Sequence, residues 1–155
     1  MASGETRVER LSDTVLQVRR SFAAPVDRVF AAWTQPELMR RWWVPPSFPV
    51  TLVGIEMDAR TGGSYCLTFA HPDAPEPMAF HGRYIEVVPD ARLVWTNEES
   101  DDGAVTTVTF EAEGDVTIVT LEERCPTREA LDAAMEGSAA GLPMQFDALA
   151  ELLAE

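Results

Sequence analysis

The chain ends in TREALDAAMEGSAAGLPMQFDALAELLAE, residues 127–155, and this stretch decides the fold. Its apolar residues recur in steps of three, four and seven, which places on one helical face Leu131, Met135, Leu142, Phe146, Leu149 and Leu153. Thr127 follows Pro126 and is a suitable N-cap residue. At ~1.5 Å rise per residue, a continuous helix of this length would run ~40 Å and cross a whole small domain. The rest of the chain is therefore expected to pack against one long C-terminal helix.

The length and the charge of the chain limit its classes of function. At 155 residues we expect a single domain over residues 14–155, preceded by a polar and frayed segment at 1–13. The formal net charge of −14 repels phosphate backbones and anionic lipid headgroups. We therefore expect no nucleic-acid partner and no membrane partner, although solubility alone also explains such a charge.

The cysteines and the N-terminus indicate a cytoplasmic location. Cys66 and Cys125 have no metal-ligand spacing and are expected to be reduced thiols. The N-terminal residues carry charges where a signal peptide needs an apolar run. Both features are typical of a cytoplasmic protein.

The segments before the tail carry strand and helix signals in a clear order. Residues 14–22 alternate, which places on one face of a strand Leu16, Val18 and Phe22. Two short helices are predicted at 26–33 and 36–43. Six strand candidates follow, joined by turn residues: 50–57, 64–70, 78–88, 92–97, 104–113 and 116–124. Short turns predict antiparallel neighbours, with the first strand beside the last.

This order of elements, β-α-α-β6-α, predicts an α+β fold whose sheet is covered by the tail helix. A strongly twisted sheet wrapped around one helix does not pack flat, and it leaves a space between the two. Ligand sites favour such concave places. The sequence therefore predicts a ligand-binding cavity but does not identify the ligand.

Several motifs resemble those of a known family. They are AAPVDRVFAAWTQPELMRRWWVP at residues 23–45, DARTGG at 58–63, FHGRYIEVVPDARLVWT at 80–96, and Gly141-Leu142 followed by Phe146 and Leu149. Together they are similar to the activator of Hsp90 ATPase homologue 1-like (AHSA1-like) family of the START-like, or Bet v 1-like, superfamily (SRPBCC). The resemblance covers about residues 14–153. It implies a helix-grip fold, with a seven-stranded antiparallel sheet around a long C-terminal helix. It also implies a cavity that binds lipids, sterols, polyketides or other apolar molecules, and some members of the superfamily are cyclases or aromatases.

The chain departs from the family pattern at two neighbouring positions. Leu142 stands where tryptophan is usual, which predicts a wider cavity at that point. Pro143 would remove a backbone donor inside the helix, at a cost of ~3 kcal/mol if nothing compensates. We therefore expect a kink or a restart of the helix around residues 138–143.

The candidate cavity wall is mostly aromatic and sulfur-containing. The residues predicted to bind ligand are Trp33, Trp43, Met57, Phe69, His81, Arg83, Trp95, Met135, Leu142 and Phe146. Ordinary core packing is the alternative for the apolar members, because large apolar groups are usually buried whatever the function. Methionine adapts to varied ligand shapes, which favours a pocket wall for Met57 and Met135.

The polar candidates carry a weaker signal. His81 lies in a strand beside Arg83 and either faces the cavity or is structural. Asp58 with two guanidinium neighbours, Arg60 and Arg83, either orients a polar ligand head or forms a surface ion pair. No catalytic triad, metal-ligand spacing or phosphate-binding loop is readable, so we expect no cofactor and no metal.

Three functions remain open from the sequence. The first is the binding of a small apolar or aromatic molecule without evident catalysis. The second is a cyclase or aromatase acting on a polyketide-like substrate, which needs an acid or base inside the cavity. The third is association with an Hsp90-type chaperone, which rests on resemblance of fold alone and is the least favoured. Strand edges that can pair into a homodimer leave the oligomeric state open.

Overall fold

A computed structural model describes residues 6–44, 50–97, 104–136 and 142–154 of the chain. Eight strands form one sheet in the order β1-β2-β8-β7-β6-β5-β4-β3, and every neighbouring pair is antiparallel. The strands are β1 Arg7–Arg10, β2 Val15–Phe22, β3 Thr51–Met57, β4 Ser64–Ala70, β5 Met78–Val88, β6 Arg92–Asn97, β7 Val105–Glu113 and β8 Val116–Arg124. The helices are α1 Val26–Thr34, α2 Pro36–Met39, α3 Arg128–Glu136 and α4 Leu142–Leu153.

The predicted meander is confirmed, and so is the place of the first long strand. β2 pairs with β8, the last strand, over its whole length. Apolar alternation explains the register, because Leu16, Val18 and Phe22 are fully buried on the inner face. The α1–α2 pair carries the chain from β2 to β3, which is the far edge of the sheet.

The prediction of seven strands and a frayed segment at 1–13 is wrong for Arg7–Arg10, which form an eighth strand. β1 pairs antiparallel with β2, from Arg7 opposite Arg19 to Arg10 opposite Leu16. It satisfies backbone groups that β2 would otherwise expose at a sheet edge. All four of its side chains are exposed, so the strand leaves no apolar pattern in the sequence.

The single long C-terminal helix is also corrected, because the structure has two helices there. α3 ends at Glu136 and α4 begins at Leu142, while residues 137–141 lie outside the described part of the chain. Pro143 sits in the first turn of α4, where the missing amide hydrogen has no helical partner to lose. The kink or restart expected around residues 138–143 falls mostly outside the described part of the chain. The predicted N-cap is confirmed, since the Thr127 hydroxyl accepts a hydrogen bond from the Ala130 amide at 3.0 Å.

The core lies where α1 and α4 meet the inner face of β2, β7 and β8. Its largest fully buried side chains are Trp33, Trp42, Phe22, Phe146, Leu16, Leu93, Leu131 and Leu149. Within the described residues, no helix has both the length and the apolar character needed to span a membrane.

Candidate functional site

A cavity of about 380 Å³ opens beside this core. It lies between the inner face of the sheet, the end of α2 and the first turn of α4. Its lining residues are Trp33, Met39, Trp43, Val44, Val50, Met57, Tyr65, Leu67, Phe69, Phe80, Tyr84, Trp95, Thr106, Leu121, Glu123, Leu142 and Gln145. The wall is mainly apolar and aromatic, with a few polar groups, which is the usual make-up of a small-molecule site.

Trp33 on α1 joins the cavity to the packed core. Its ring centroid lies 6.1 Å from that of Trp95 and 6.4 Å from that of Trp43, both in the cavity wall. On the core side its ring centroid lies 4.7 Å from that of Trp42 and 6.0 Å from that of Phe146. These edge-to-face and tilted contacts fix the ring. Among the described residues, the buried indole N–H of Trp33 finds no hydrogen-bond acceptor.

The sheet wall depends on a glycine. The Tyr65 hydroxyl on β4 crosses β5 at Gly82 and donates a hydrogen bond to the Thr96 carbonyl on β6 at 2.9 Å. A Cβ at Gly82 would lie 1.8 Å from that same carbonyl oxygen and 2.6 Å from the Tyr65 hydroxyl. Gly82 therefore lets the tyrosine ring lie flat against the strand and form part of the wall.

The start of α4 is tied to the chain after α2. The Gln145 amide nitrogen donates to the Trp43 carbonyl oxygen at 2.6 Å. Gln145 is one of few buried polar side chains, and Leu142 stands one turn before it on the same cavity edge. This bond holds two parts of the wall, from distant segments, in one arrangement.

Among its described lining residues, the cavity has one acidic side chain, Glu123 on β8. It lies opposite Leu16 on one neighbouring strand and opposite Thr106 on the other. Burial raises the pKa of the Glu123 carboxyl above its ordinary value. Burial also raises the pKa of the Tyr84 hydroxyl, so the tyrosine stays neutral. Among the described residues that line the cavity, Glu123 is the one carboxylic acid, and none is a histidine, lysine or arginine.

Six of the ten predicted site residues line the cavity: Trp33, Trp43, Met57, Phe69, Trp95 and Leu142. Phe146 and Met135 do not. Phe146 is fully buried between Phe22 and Trp33, so core packing describes it better. Met135 lies on α3, where its sulfur accepts a hydrogen bond from Arg10. Ligand binding by the six lining residues stays a prediction.

His81 and Arg83 lie on the outer face of the sheet, which corrects their expected place in the cavity wall. They alternate along β5 with Phe80 and Tyr84, whose side chains point inward. Both border a separate depression on the outer face, with Asp58. The Asp58–Arg60 pair, 2.8 Å apart, is exposed, so it fits the alternative of a surface ion pair.

The sequence interpretation missed Glu123, Thr106 and Tyr84. Strand parity was the signal that could have found them. On β8 the buried Val119 and Leu121 define the inner face, and Glu123 is the next residue of the same parity. Among the described residues, no group of three or more histidine, cysteine or carboxylate side chains could hold a metal ion.

Comparison with solved structures places the chain among proteins of one fold. It resembles a crystal structure from Rhodobacter sphaeroides with a TM-score of 0.86 and 23% identity, covering 97% of this chain and 98% of the other. A crystal structure from Chromobacterium violaceum gives 0.76 at 26% identity, with 91% and 98% covered. An AHSA1-like protein from Aeromonas hydrophila gives 0.64 at 23% identity, with 88% and 94% covered.

Among curated proteins, none matches the chain significantly. The family of the activator of Hsp90 ATPase homolog 1-like protein matches residues 23–154. That stretch includes both helices of the tail and every strand from β3 to β8. The motifs, the antiparallel sheet closed by a C-terminal helix and this match agree, and the chain belongs to the AHSA1-like family.

Proposed function

We propose that this protein binds a small apolar or aromatic molecule in the cavity between the sheet and α4. The observation that carries the proposal is a space of about 380 Å³ walled by large aromatic side chains. A volume of that order is within the range of small-molecule sites, roughly 300–1,000 Å³. Several wall residues, Met57, Tyr65 and Phe69 among them, remain only partly buried. A ligand would cover their apolar surface, at a gain of about 25 cal/mol per Å².

An enzyme acting on a polyketide-like substrate is the second candidate, because the cavity holds an acid. Acid–base catalysis needs a titratable group within reach of the substrate. Glu123 meets that need, whereas His81 and Arg83 lie on the outer face. A chaperone-associated role rests on the family resemblance alone.

Blocking the cavity tests the binding proposal. Phenylnaphthylamine, a neutral apolar fluorophore, should bind at one saturable site with enhanced emission. Leu142→Trp places a larger side chain in the wall and should weaken binding by at least about tenfold, or roughly 1.4 kcal/mol. Met144→Trp is the matched control, because Met144 is 42% exposed on the same helix and lies outside the lining.

The two variants together decide the outcome. If Leu142→Trp loses the probe while Met144→Trp binds like the parent, the cavity is the site. If both bind like the parent, the fluorophore occupies another surface and the proposal fails. Thermal unfolding of each variant shows whether a lost signal reflects a lost fold.

A further inference from the structure

Glu123 is a carboxylate without an ion-pair partner among the described residues. No described residue forms a hydrogen bond or an ion pair with it, and none of the residues that line the cavity is arginine, lysine or histidine. A partly buried carboxylate without a partner is costly. Among the described residues, the cavity wall therefore has one negative group and no positive group.

We propose that the ligand of this cavity carries a protonated nitrogen that pairs with Glu123, while its aromatic or apolar body rests against the tryptophan wall. This inference rests on the proposed binding function and specifies the chemistry of the ligand. It selects organic amines and excludes fatty acids and other anionic amphiphiles. Two features support this ligand class: the side chains that lie in register with Glu123, and the negative charge of the cavity wall.

The side chains next to Glu123 suit a cation. Glu123, Thr106, Trp95 and Tyr84 lie opposite one another in register on four adjacent strands, β8 to β5. Neighbouring strands are about 4.8 Å apart, so Glu123 and Trp95 are separated by about 10 Å of sheet. A cation bound between them would lie within reach of the carboxylate and within about 6 Å of an aromatic ring. Aromatic rings attract ammonium groups through the negative charge of their faces.

Charge decides between the possible head groups. A carboxylate or phosphate head would meet Glu123 with no cation among the described wall residues to offset the repulsion. A neutral hydroxyl head would gain a hydrogen bond but leave the buried charge uncompensated. An ammonium head gives a charge-assisted hydrogen bond, which is about twice as strong as a neutral one. The net charge of −14 also favours the approach of cations over anions.

Three probes of one shape test the inference: naphthylmethylamine, naphthylmethanol and naphthoate. Each is titrated by calorimetry into the parent protein near neutral pH. The amine should bind at least about tenfold more tightly than the alcohol, a difference of roughly 1.4 kcal/mol, and naphthoate should bind most weakly. The comparison needs no mutation, so it does not depend on any variant folding.

Two isosteric variants assign the preference to one residue. Glu123→Gln should reduce the affinity for the amine to the value for the alcohol. The affinity for the alcohol itself should not change. Glu122→Gln is the matched control, because it removes the same charge from the next residue. Glu122 points to the outer face, where it accepts a hydrogen bond from Gln17 at 3.4 Å.

The binding results distinguish failure of the proposed ligand class from failure of the proposed binding function. If amine and alcohol bind equally to the parent, the ligand class proposed here is wrong, and apolar binding in the cavity still stands. The same holds if Glu122→Gln removes the preference and Glu123→Gln does not, since general surface charge then explains it. If none of the three probes binds, the proposed binding function fails as well.

Discussion

The inner face of the sheet is packed in one half and hollow in the other. In the packed half, β2, β7 and β8 bury every second residue, and the fully buried ones include Leu16, Val18, Val108 and Val119. In the hollow half, β3 to β5 keep most inward side chains only partly buried, and Phe80 is 38% exposed. The same antiparallel ladder runs through both halves, so the backbone is not the cause.

The position of α4 explains the difference. Its buried residues Phe146, Leu149 and Leu153 lie toward its C-terminal end, and the helix packs on β2 and α1. Its first residue, Leu142, borders the cavity instead. α4 therefore fills one half of the sheet's concave face and leaves the other half open. Aromatic content does not separate the two halves, since Phe146 is core and Phe80 is wall.

The largest expected effect compares one substitution at the two ends of α4. Leu149→Ala, at a fully buried position, should lower the free energy of unfolding by about 2–5 kcal/mol, because the packed half cannot close the void. Leu142→Ala, at the cavity edge, should cost less than about 1.5 kcal/mol, because its side chain already faces open space. Urea unfolding of both variants measures the difference.

Both changes are leucine to alanine within α4, so the same side-chain atoms are removed in the two variants. Equal losses in the two variants would mean that the hollow half is packed as tightly as the other. The cavity would then have no room for a ligand.

A smaller effect probes how rigid the hollow half is. Gly82→Ala would place a methyl group 1.8 Å from the Thr96 carbonyl oxygen, so the strands or the Tyr65 ring must move. We expect a loss of about 1–3 kcal/mol, as for overpacked cores, together with weaker probe binding. Urea unfolding and phenylnaphthylamine titration measure the two effects.

Gly54→Ala is the control, because a Cβ there meets only Thr68 side-chain atoms at 3.4 Å or more. A Gly82→Ala protein as stable as the control would show that the cavity wall gives way easily. The cavity would then be a deformable packing defect and not a preformed binding site.

The sequence predicted the strands well because turn residues and apolar alternation mark them locally. The bounds of β4, β5, β6 and β8 agree with the structure residue for residue. β1 could not be predicted, because its pairing satisfies the backbone of β2 and its residues are exposed, without an apolar pattern. Pro143 predicts a break in the tail helix because its chemistry is local, and most of the predicted range, 138–143, lies outside the described residues.

The site was predicted less well, because the face of the sheet to which a side chain points depends on strand parity. His81 and Arg83 have the chemistry of site residues, yet they alternate along β5 with Phe80 and Tyr84, which point inward. Register shifts between Leu52 and Gly54 and between Tyr84 and Glu86 change parity partway along a strand, and the sequence does not show them. On β8, where no shift occurs, parity alone would have identified Glu123.

The smallest expected effect concerns Glu123, which lies where the packed half meets the hollow half. An exposed glutamate ionises near 4.5, whereas burial holds the pKa of Glu123 higher in the folded protein. The unfolded chain therefore releases this proton first, and as pH rises above about 4.5 the fold loses stability until Glu123 is ionised in both states. Glu123→Gln should stabilise the protein at about pH 8, and the gain should shrink toward about pH 5.

Urea unfolding of parent, Glu123→Gln and Glu122→Gln across that pH range measures the gain. The neighbouring Cys125 thiol does not confuse the result, because burial and the charge of Glu123 both raise its pKa, and it stays neutral over this range. Glu122→Gln is the control for net charge, because it removes the same charge from the next residue, on the outer face of the sheet. A pH-independent difference between the two variants would mean that water or a nearby cation already neutralises Glu123. The hollow half would then be solvated like the protein surface. A cationic ligand would not be required to compensate the charge of Glu123.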